Sequence, residues 1–312
     1  MPALFWAQKP EHLAGKTLEV DALDRLNPPQ LLVSARTWTD GFIAAYTRRV
    51  RVWDCSCFGN TMLPMAGVMI VTGGSRGIGA ATARLAAERG YAVCVNYRAQ
   101  RDAAERVARE IAASGGRAIV VGADVASETD VERLFATVDA ELGVVTALVN
   151  NAGILERQTR VEQIDGARID RVFATNVRGA FLCAREAVRR MSTARGGAGG
   201  AIVNVSSRAA QLGAPGEYVD YAASKAALDA LTIGLAREVA AEGIRVNGVR
   251  PGIIHSDIHA DGGEPGRVDR LGPTLPMKRG GETIEVARAI LWLVSEEASY
   301  STGAFVDVAG GR

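Results

Sequence analysis

The chain is short of histidine, of cysteine, of any excess of either charge, and of long apolar runs, and each shortage removes a class of function. Lys and Arg number 36 against 35 Asp and Glu, a balance that gives no electrostatic case for nucleic acid or an anionic membrane as the main partner. No stretch reaches the roughly 18 to 20 uninterrupted apolar residues of a bilayer span, so no membrane crossing is expected. Three histidines and four cysteines leave little with which to hold a metal. Cys55 and Cys57 flank Ser56, but no histidine or second cysteine pair lies at ligand spacing near them, and the pair reads as incidental. His255 and His259, with Asp257 between them, sit in one loop and are assigned to a substrate lid, so no metal is expected. Cys94 and Cys183 fall in an expected core strand and helix, where a free thiol behaves as a small hydrophobe. That usage fits a reducing, cytoplasmic setting.

What is there is a core-forming chain of 312 residues, 48% hydrophobic, ample for one large α/β domain. The first sixty-odd residues stand apart: they hold seven of the seventeen aromatics, the pair Pro28-Pro29 and no clear helix or strand period. Their acidic residues Glu11, Glu19, Asp21 and Asp24 argue against a transit peptide, and the missing apolar core argues against a signal peptide. Residues 1–64 are therefore read as a mis-assigned start, with translation beginning at Met62 or Met65; a poorly ordered extension and a small regulatory module are the next alternatives. From Met65 onward strand and helix signals alternate. Strands are expected near 67–72, 92–96, 117–122, 146–150, 200–206, 244–250 and 304–308. Helices are expected at 78–89, 101–114, 127–141, 168–192, 220–242 and 283–295. That rhythm predicts an α/β domain over 65–312, a doubly wound, seven-stranded parallel sheet with helices on both faces.

Three motifs carry chemistry. The turn TGGSRGIG, Thr72 to Gly79, follows a strand and opens a helix, the context a dinucleotide-binding glycine turn requires. Gly73, Gly77 and Gly79 allow the tight turn, the close approach of backbone to a pyrophosphate, and close packing of helix on strand, while the helix N-terminus offers amide donors to phosphate. The second strand ends Asn96-Tyr97-Arg98, with no acid to grip a ribose 2′-hydroxyl. Arg98 and Arg76 bring two guanidiniums to where a 2′-phosphate would lie, which favours NADP(H) over NAD(H). The third motif is DYAASK, in which Tyr221 and Lys225 stand four apart on one helix face. A free phenol titrates near pH ~10, and a neighbouring cation is expected to lower that value.

With Asn150 to Gly153 (NNAG) added, the chain from Met65 to Arg312 resembles the compact single-domain branch of the short-chain dehydrogenase/reductase family, and is similar to 3-oxoacyl reductase and glucose dehydrogenase members. The resemblance implies a three-layer Rossmann fold and the following site. Asn176 in ATNVRGAF matches the asparagine that holds a water in the proton relay. Ser207, the second serine of VNVSSRAA, matches the catalytic serine. Tyr221 and Lys225 match the catalytic tyrosine and the lysine that also holds the nicotinamide ribose. Cofactor contacts are implied for Gly73, Ser75, Arg76, Gly77, Ile78 and Gly79, for Asn96, Tyr97 and Arg98, and for Asp124 and Val125 near the adenine. They are implied also for Asn151, Ala152 and Gly153, for Tyr221 and Lys225, and for Pro251, Gly252, Ile254 and Ser256. Ser256 stands where the family pattern usually places threonine, and keeps the hydroxyl donor.

The expected activity is NADP(H)-dependent interconversion of a ketone or aldehyde and an alcohol, Tyr221 exchanging the proton. A catalytically silent NADP(H)-binding regulator, or a sugar dehydrogenase within the family, are the alternatives. Tyr218, with no lysine four positions on, is read as a substrate-loop side chain. The segment from Ile253 to Gly281 reads as a mobile lid, on which Arg267 and Arg270 are read as solvated. Assembly as a homotetramer through the helices at 168–192 and 220–242 is what the resemblance implies.

Overall fold

Apolar runs become the centre of the sheet. In the computed structural model, which describes residues 67–312, the strands are β1 (Gly67–Val71), β2 (Tyr91–Tyr97), β3 (Arg117–Gly122), β4 (Ala147–Asn150), β5 (Gly200–Val205), β6 (Ile244–Pro251) and β7 (Phe305–Val308). All pair parallel in the order β3-β2-β1-β4-β5-β6-β7. The order reverses between β1 and β4, the position at which doubly wound sheets open a crevice at the carboxyl ends of their strands. The expected seven-stranded parallel sheet is thus the observed one. The readings placed on residues 1–64 and on the Cys55–Cys57 pair lie outside the described residues.

The helices are α1 (Gly77–Glu88), α2 (Arg101–Ala113), α3 (Glu128–Glu141), α4 (Gly166–Phe173), α5 (Gly179–Met191), α6 (Ala209–Leu212, a single turn), α7 (Val219–Val239), α8 (Ile258–Asp261, also a single turn), α9 (Arg267–Leu271) and α10 (Thr283–Val294). Side chains alternate across each strand, so β1 divides itself between two cores. Val68 and Ile70 join Leu134 and Phe135 of α3 and Cys183 and Met191 of α5. Met69 and Val71 join Ala83 of α1, Val107 of α2 and Ile290 and Leu293 of α10. Truncating a fully buried member such as Ile70 or Leu148 to alanine would cost about 2–5 kcal/mol.

Two expectations are corrected. The helix expected at 168–192 starts at Gly166, capped by the Asp165 carboxylate accepting from Arg168 N at 2.7 Å. It is then interrupted by a π-helical turn, Ala174–Arg178, before continuing as α5. Gly179 allows the close approach that follows: a Cβ there would lie 2.7 Å from Val125 Cγ2. The segment 253–281 is not a bare loop either. Its two ends are zipped together by His255 N to Gly281 O and Gly281 N to Ile253 O, both 2.9 Å, and Ile253, Val268 and Leu275 form a small core of their own. Arg267 is 4% exposed rather than solvated, because Glu217 and Glu264 receive its guanidinium at 2.5 and 2.8 Å. Arg270 stays exposed and pairs with Glu264 at 2.5 Å.

Candidate active site

The glycine turn is built from backbone conformations that side chains resist. Gly73 and Gly77 have φ of +61° and +54°, the left-handed region glycine enters without penalty. Gly79 is demanded by contact instead: a Cβ there would lie 2.3 Å from Gly73 O and 2.6 Å from Asn151 Nδ2. Asn151 fixes the turn from beneath, its Nδ2 donating to Thr72 O at 2.9 Å and Gly73 O at 3.0 Å. The Thr72 hydroxyl accepts from Asn151 N and Ala152 N, both at 3.0 Å. Arg76, preceding α1, makes no side-chain cap, so the first amides of this twelve-residue helix remain available to an anion. These features fit a dinucleotide pyrophosphate, the turn being a cradle that a Cβ would fill.

A cleft of about 440 Å³ runs along the strand ends, lined by Gly73, Ser75, Arg76, Gly77, Ile78, Asn96, Tyr97, Arg98, Asp124, Val125, Asn151, Ala152, Gly153 and Ser256 among others. The expected cofactor residues of the first half of the chain are thereby brought together, apart from Gly79, which packs behind the turn. Asn96 proves to be a scaffold as well as a wall. It is buried, its Oδ1 accepting from Gly73 N at 3.2 Å and its Nδ2 donating to Ala123 O at 3.1 Å. Arg76 is not a free guanidinium: it pairs with Asp261 at the end of α8, whereas Arg98 is exposed. Ser256 rests against the turn, its Cβ 3.5 Å from where a Cβ on Gly77 would be.

A second pocket, of about 140 Å³, adjoins the cleft and shares Ile78, Asn151, Gly153, Leu155, Ser256 and Ile258 with it. Ser207, Tyr221, Lys225, Pro251, Gly252 and Ile254 line it. Tyr221 and Lys225 sit in the first two turns of α7, which Asp220 anchors: its carboxylate takes Arg168 Nε at 2.7 Å and Nη2 at 3.1 Å in a buried bidentate pair. Ser206 secures the same helix to β5, donating to Lys225 O at 3.1 Å. Ser207 instead faces the pocket beside Tyr221, hydrogen-bonded to its phenol, with its Oγ also accepting from Ala209 N at 3.1 Å.

The electrostatics depart from expectation. The Tyr221 phenol is pushed up to about 12 by burial, a Ser207 hydrogen bond opposing that rise. Burial brings the Lys225 ammonium down to about 8, with Asp229 pulling the other way. Lys225 Nζ donates to Val205 O at 2.7 Å and lies 5.6 Å from the Tyr221 ring centre. Burial, not the lysine, is the larger cause of the phenol's shift, the ammonium being turned to a backbone carbonyl. Asn176, fully buried in the π turn, accepts from Ile154 N at 2.8 Å and donates to Ile154 O and Ser224 Oγ at 3.0 Å each. It lines neither pocket but stands behind Gly153, where a Cβ would lie 3.3 Å from Lys225 Nζ and 3.4 Å from Asn176 Oδ1.

Thr72, Ser224, Arg168 and Asp220 were missed at the sequence level. Thr72 opens the TGGSRGIG turn and Asp220 and Ser224 lie within DYAASK, so those three stood inside quoted motifs without a role, whereas Arg168 carried no signal. Among the described residues no cluster of three or more His, Cys, Asp or Glu side chains is placed to hold a metal, and no helix is long and apolar enough to cross a membrane.

Residues 73–312 match a family model described as enoyl-(acyl carrier protein) reductase. The uncharacterized oxidoreductase YgfF of Escherichia coli K12 is 58% identical over 245 residues, 78% of this chain and 99% of that protein. A 3-oxoacyl-[acyl-carrier-protein] reductase, FabG, of Staphylococcus epidermidis is 38% identical over 242 residues, 78% of this chain and 97% of that protein. Among solved structures, a short-chain type dehydrogenase/reductase from Mycobacterium marinum superposes with a TM-score of 0.74 at 33% identity, covering 80% of this chain and 96% of the other.

Proposed function

The chain belongs to the short-chain dehydrogenase/reductase family and is an oxidoreductase of that family, and from that premise we propose that it interconverts a ketone or aldehyde and an alcohol with NADP(H), preferred over NAD(H). The observation that carries the proposal is the convergence of Ser207, Tyr221 and Lys225 in a pocket that opens into the glycine-turn cleft. The turn from Gly73 to Gly79 and the N-terminus of α1 would hold the pyrophosphate, Asp124 and Val125 the adenine side, Arg98 the 2′-phosphate, and Lys225, Gly153 and Ser256 the nicotinamide half. When bound, the dinucleotide supplies or takes up the hydride.

The rest is the work of this chain. The Ser207 hydroxyl orients the substrate oxygen. Tyr221, protonated at neutral pH, is the proton donor in reduction, and Lys225, in the same pocket and still charged below about pH 8, would favour negative charge developing on the substrate oxygen. Asn176 serves as a positioning residue, tying the loop at Ile154 to Ser224 of the catalytic helix. In oxidation the same phenol must give up its proton first. A homotetrameric assembly through α5 and α7 and a cytoplasmic location, suggested by the buried free thiols Cys94 and Cys183, belong to this proposal.

The test is NADPH and NADH oxidation against ketones, aldehydes, a 3-oxoacyl thioester and, with NADP⁺, glucose, with Tyr221→Phe alongside. Turnover with NADPH is expected, and the variant should lose about 10²–10⁴ in kcat while its NADPH Kd stays within a few-fold. Turnover that survives Tyr221→Phe unchanged would sink the assignment.

A further inference from the structure

Among the described residues, five buried side-chain polar atoms have no hydrogen-bond partner: Asp139 Oδ1, Arg185 Nη2, Asp229 Oδ1, Tyr218 Oη and His259 Nδ1. The first three belong to residues in ion-pair networks. The last two belong to residues that line one and the same cavity, the pocket that holds Ser207 and Tyr221. Tyr218 is 4% and His259 8% exposed. The Gln158 side chain approaches the Tyr218 phenol, but its amide is donated to Glu264 at 2.6 Å and it makes no well-aligned hydrogen bond to Tyr218 Oη. Buried polar groups are ordinarily paired, so these two groups in one substrate-sized pocket call for a ligand to complete them.

Their chemistry specifies that ligand. His259 Nε2 lies 3.1 Å from Ile254 O, and a carbonyl only accepts, so Nε2 carries the proton. Burial and the nearby Arg267 charge keep the ring below its ordinary pKa, neutral at pH 7, which leaves Nδ1 a bare acceptor. Tyr218 Oη can donate or accept. Both line the one pocket, and the phenol packs against the end of α8, the helix bearing His259, with Tyr218 Oη 3.1 Å from where a Cβ on Gly262, the residue that closes that helix, would stand. Arg267 stacks 5.3 Å from the Tyr218 ring centre and is neutralised by Glu217 and Glu264. Arg208 is likewise engaged by Asp307 at 2.7 Å. With these guanidiniums already paired, the site suits a neutral group that donates one hydrogen bond and accepts another. Leu155, Ala209 and Leu212 supply apolar walls around it.

We propose that Tyr218 and His259 form a hydroxyl-recognition subsite, so that the substrate is a hydroxylated carbonyl compound whose hydroxyl donates to His259 Nδ1 and accepts from Tyr218 Oη while its carbonyl meets Tyr221 and Ser207. This rests on the reductase function proposed above and deepens it by naming the substrate class.

The experiment compares three near-isosteric ketones with the NADPH holoenzyme, hydroxyacetone, butanone and pyruvate, together with the next longer homologue of each. The wild type should favour the hydroxylated member over its deoxy analogue by about tenfold or more in kcat/KM, and Tyr218→Phe and His259→Phe should each shrink that ratio about tenfold. NADPH affinity of the variants serves as the check on folding. A ratio of one or less, a preference for the carboxylate member, which exposed Arg312 would favour, or a ratio unmoved by both variants overturns the inference. If no member turns over, the same ligands are titrated calorimetrically into the NADPH-bound protein, and equal affinity for hydroxylated and deoxy members overturns it there. Failure of the underlying function looks different: NADPH oxidation that ignores Tyr221→Phe, as against Tyr221-dependent turnover without a hydroxyl preference.

Discussion

Lys225 is one of only four lysines in the chain, against arginine almost everywhere else a cation is needed. An ammonium differs from a guanidinium in that burial can bring it into the physiological titration range, and here its pKa falls from 10.5 to about 8. The sign follows from linkage. A group that binds its proton less tightly when folded lends stability above its unfolded value, and that stability is lost as pH falls from 10.5 through about 8. Below pH 8 the buried charge therefore costs about 3 kcal/mol, and Lys225→Met should be the more stable protein there, with the advantage disappearing by about pH 10 to 11; urea melts at two pH values measure it. Catalysis should move the opposite way. Wild-type reduction should decline as pH rises through about 8, and the variant should be slower and lack that inflection; a pH-rate profile with the same inflection in both proteins would remove the lysine from the assignment. Arg98 poses a different question at the same scale. Since Arg76 is shared with Asp261 while Arg98 is exposed, most of the 2′-phosphate discrimination should fall on Arg98. Arg98→Glu is expected to lower the NADPH-to-NADH ratio of kcat/KM by about 10- to 100-fold, and an unchanged ratio would mean that the phosphate is read elsewhere.

Two elements carry the site, and they were unequally legible. The glycine turn could be read because each glycine answers a separate steric demand, two for positive φ and one for contact. Gly79→Ala tests the last of these: its Cβ has only backbone and the Asn151 amide to move. The variant should lose about 1–3 kcal/mol of stability and bind NADPH at least tenfold more weakly, both readable in one thermal-shift titration; full cofactor affinity would mean that the turn tolerates the displacement. The long helix at 168–192 was legible as helix but not as broken helix. A π turn has no apolar period of its own, and functional helices often contain one. Asn176 was found through a motif, whereas its partners Ile154 and Ser224 lie 22 and 48 residues away, a separation no local pattern encodes. The same holds for Arg168 with Asp220, 52 apart.

At the scale of the molecule, buried parallel strands announce themselves as apolar runs, and that is why the seven strands, their number and their approximate bounds could be read before any contact was known. The segment 253–281 could not. Composition rich in glycine and proline describes a loop, but Glu217 reaches Arg267 across 50 residues, and both charged side chains line the pocket that holds Ser207 and Tyr221. Surface chemistry raises the remaining question of assembly. Phe181 on α5 and Ile233 on α7 are 50% and 39% exposed, large apolar side chains on the two helices through which the proposed tetramer would form. Burying such groups at about 25 cal/mol per Å² of apolar surface favours association. Light scattering should therefore give about four times the 32.9 kDa chain mass, and the paired substitution Phe181→Glu with Ile233→Glu should lower it, because a desolvated carboxylate without a partner costs far more than the apolar contact gains. A wild-type mass of one chain would remove the tetramer. A tetramer indifferent to both substitutions would place its interfaces on other faces of the molecule, leaving Phe181 and Ile233 as ordinary exposed hydrophobics.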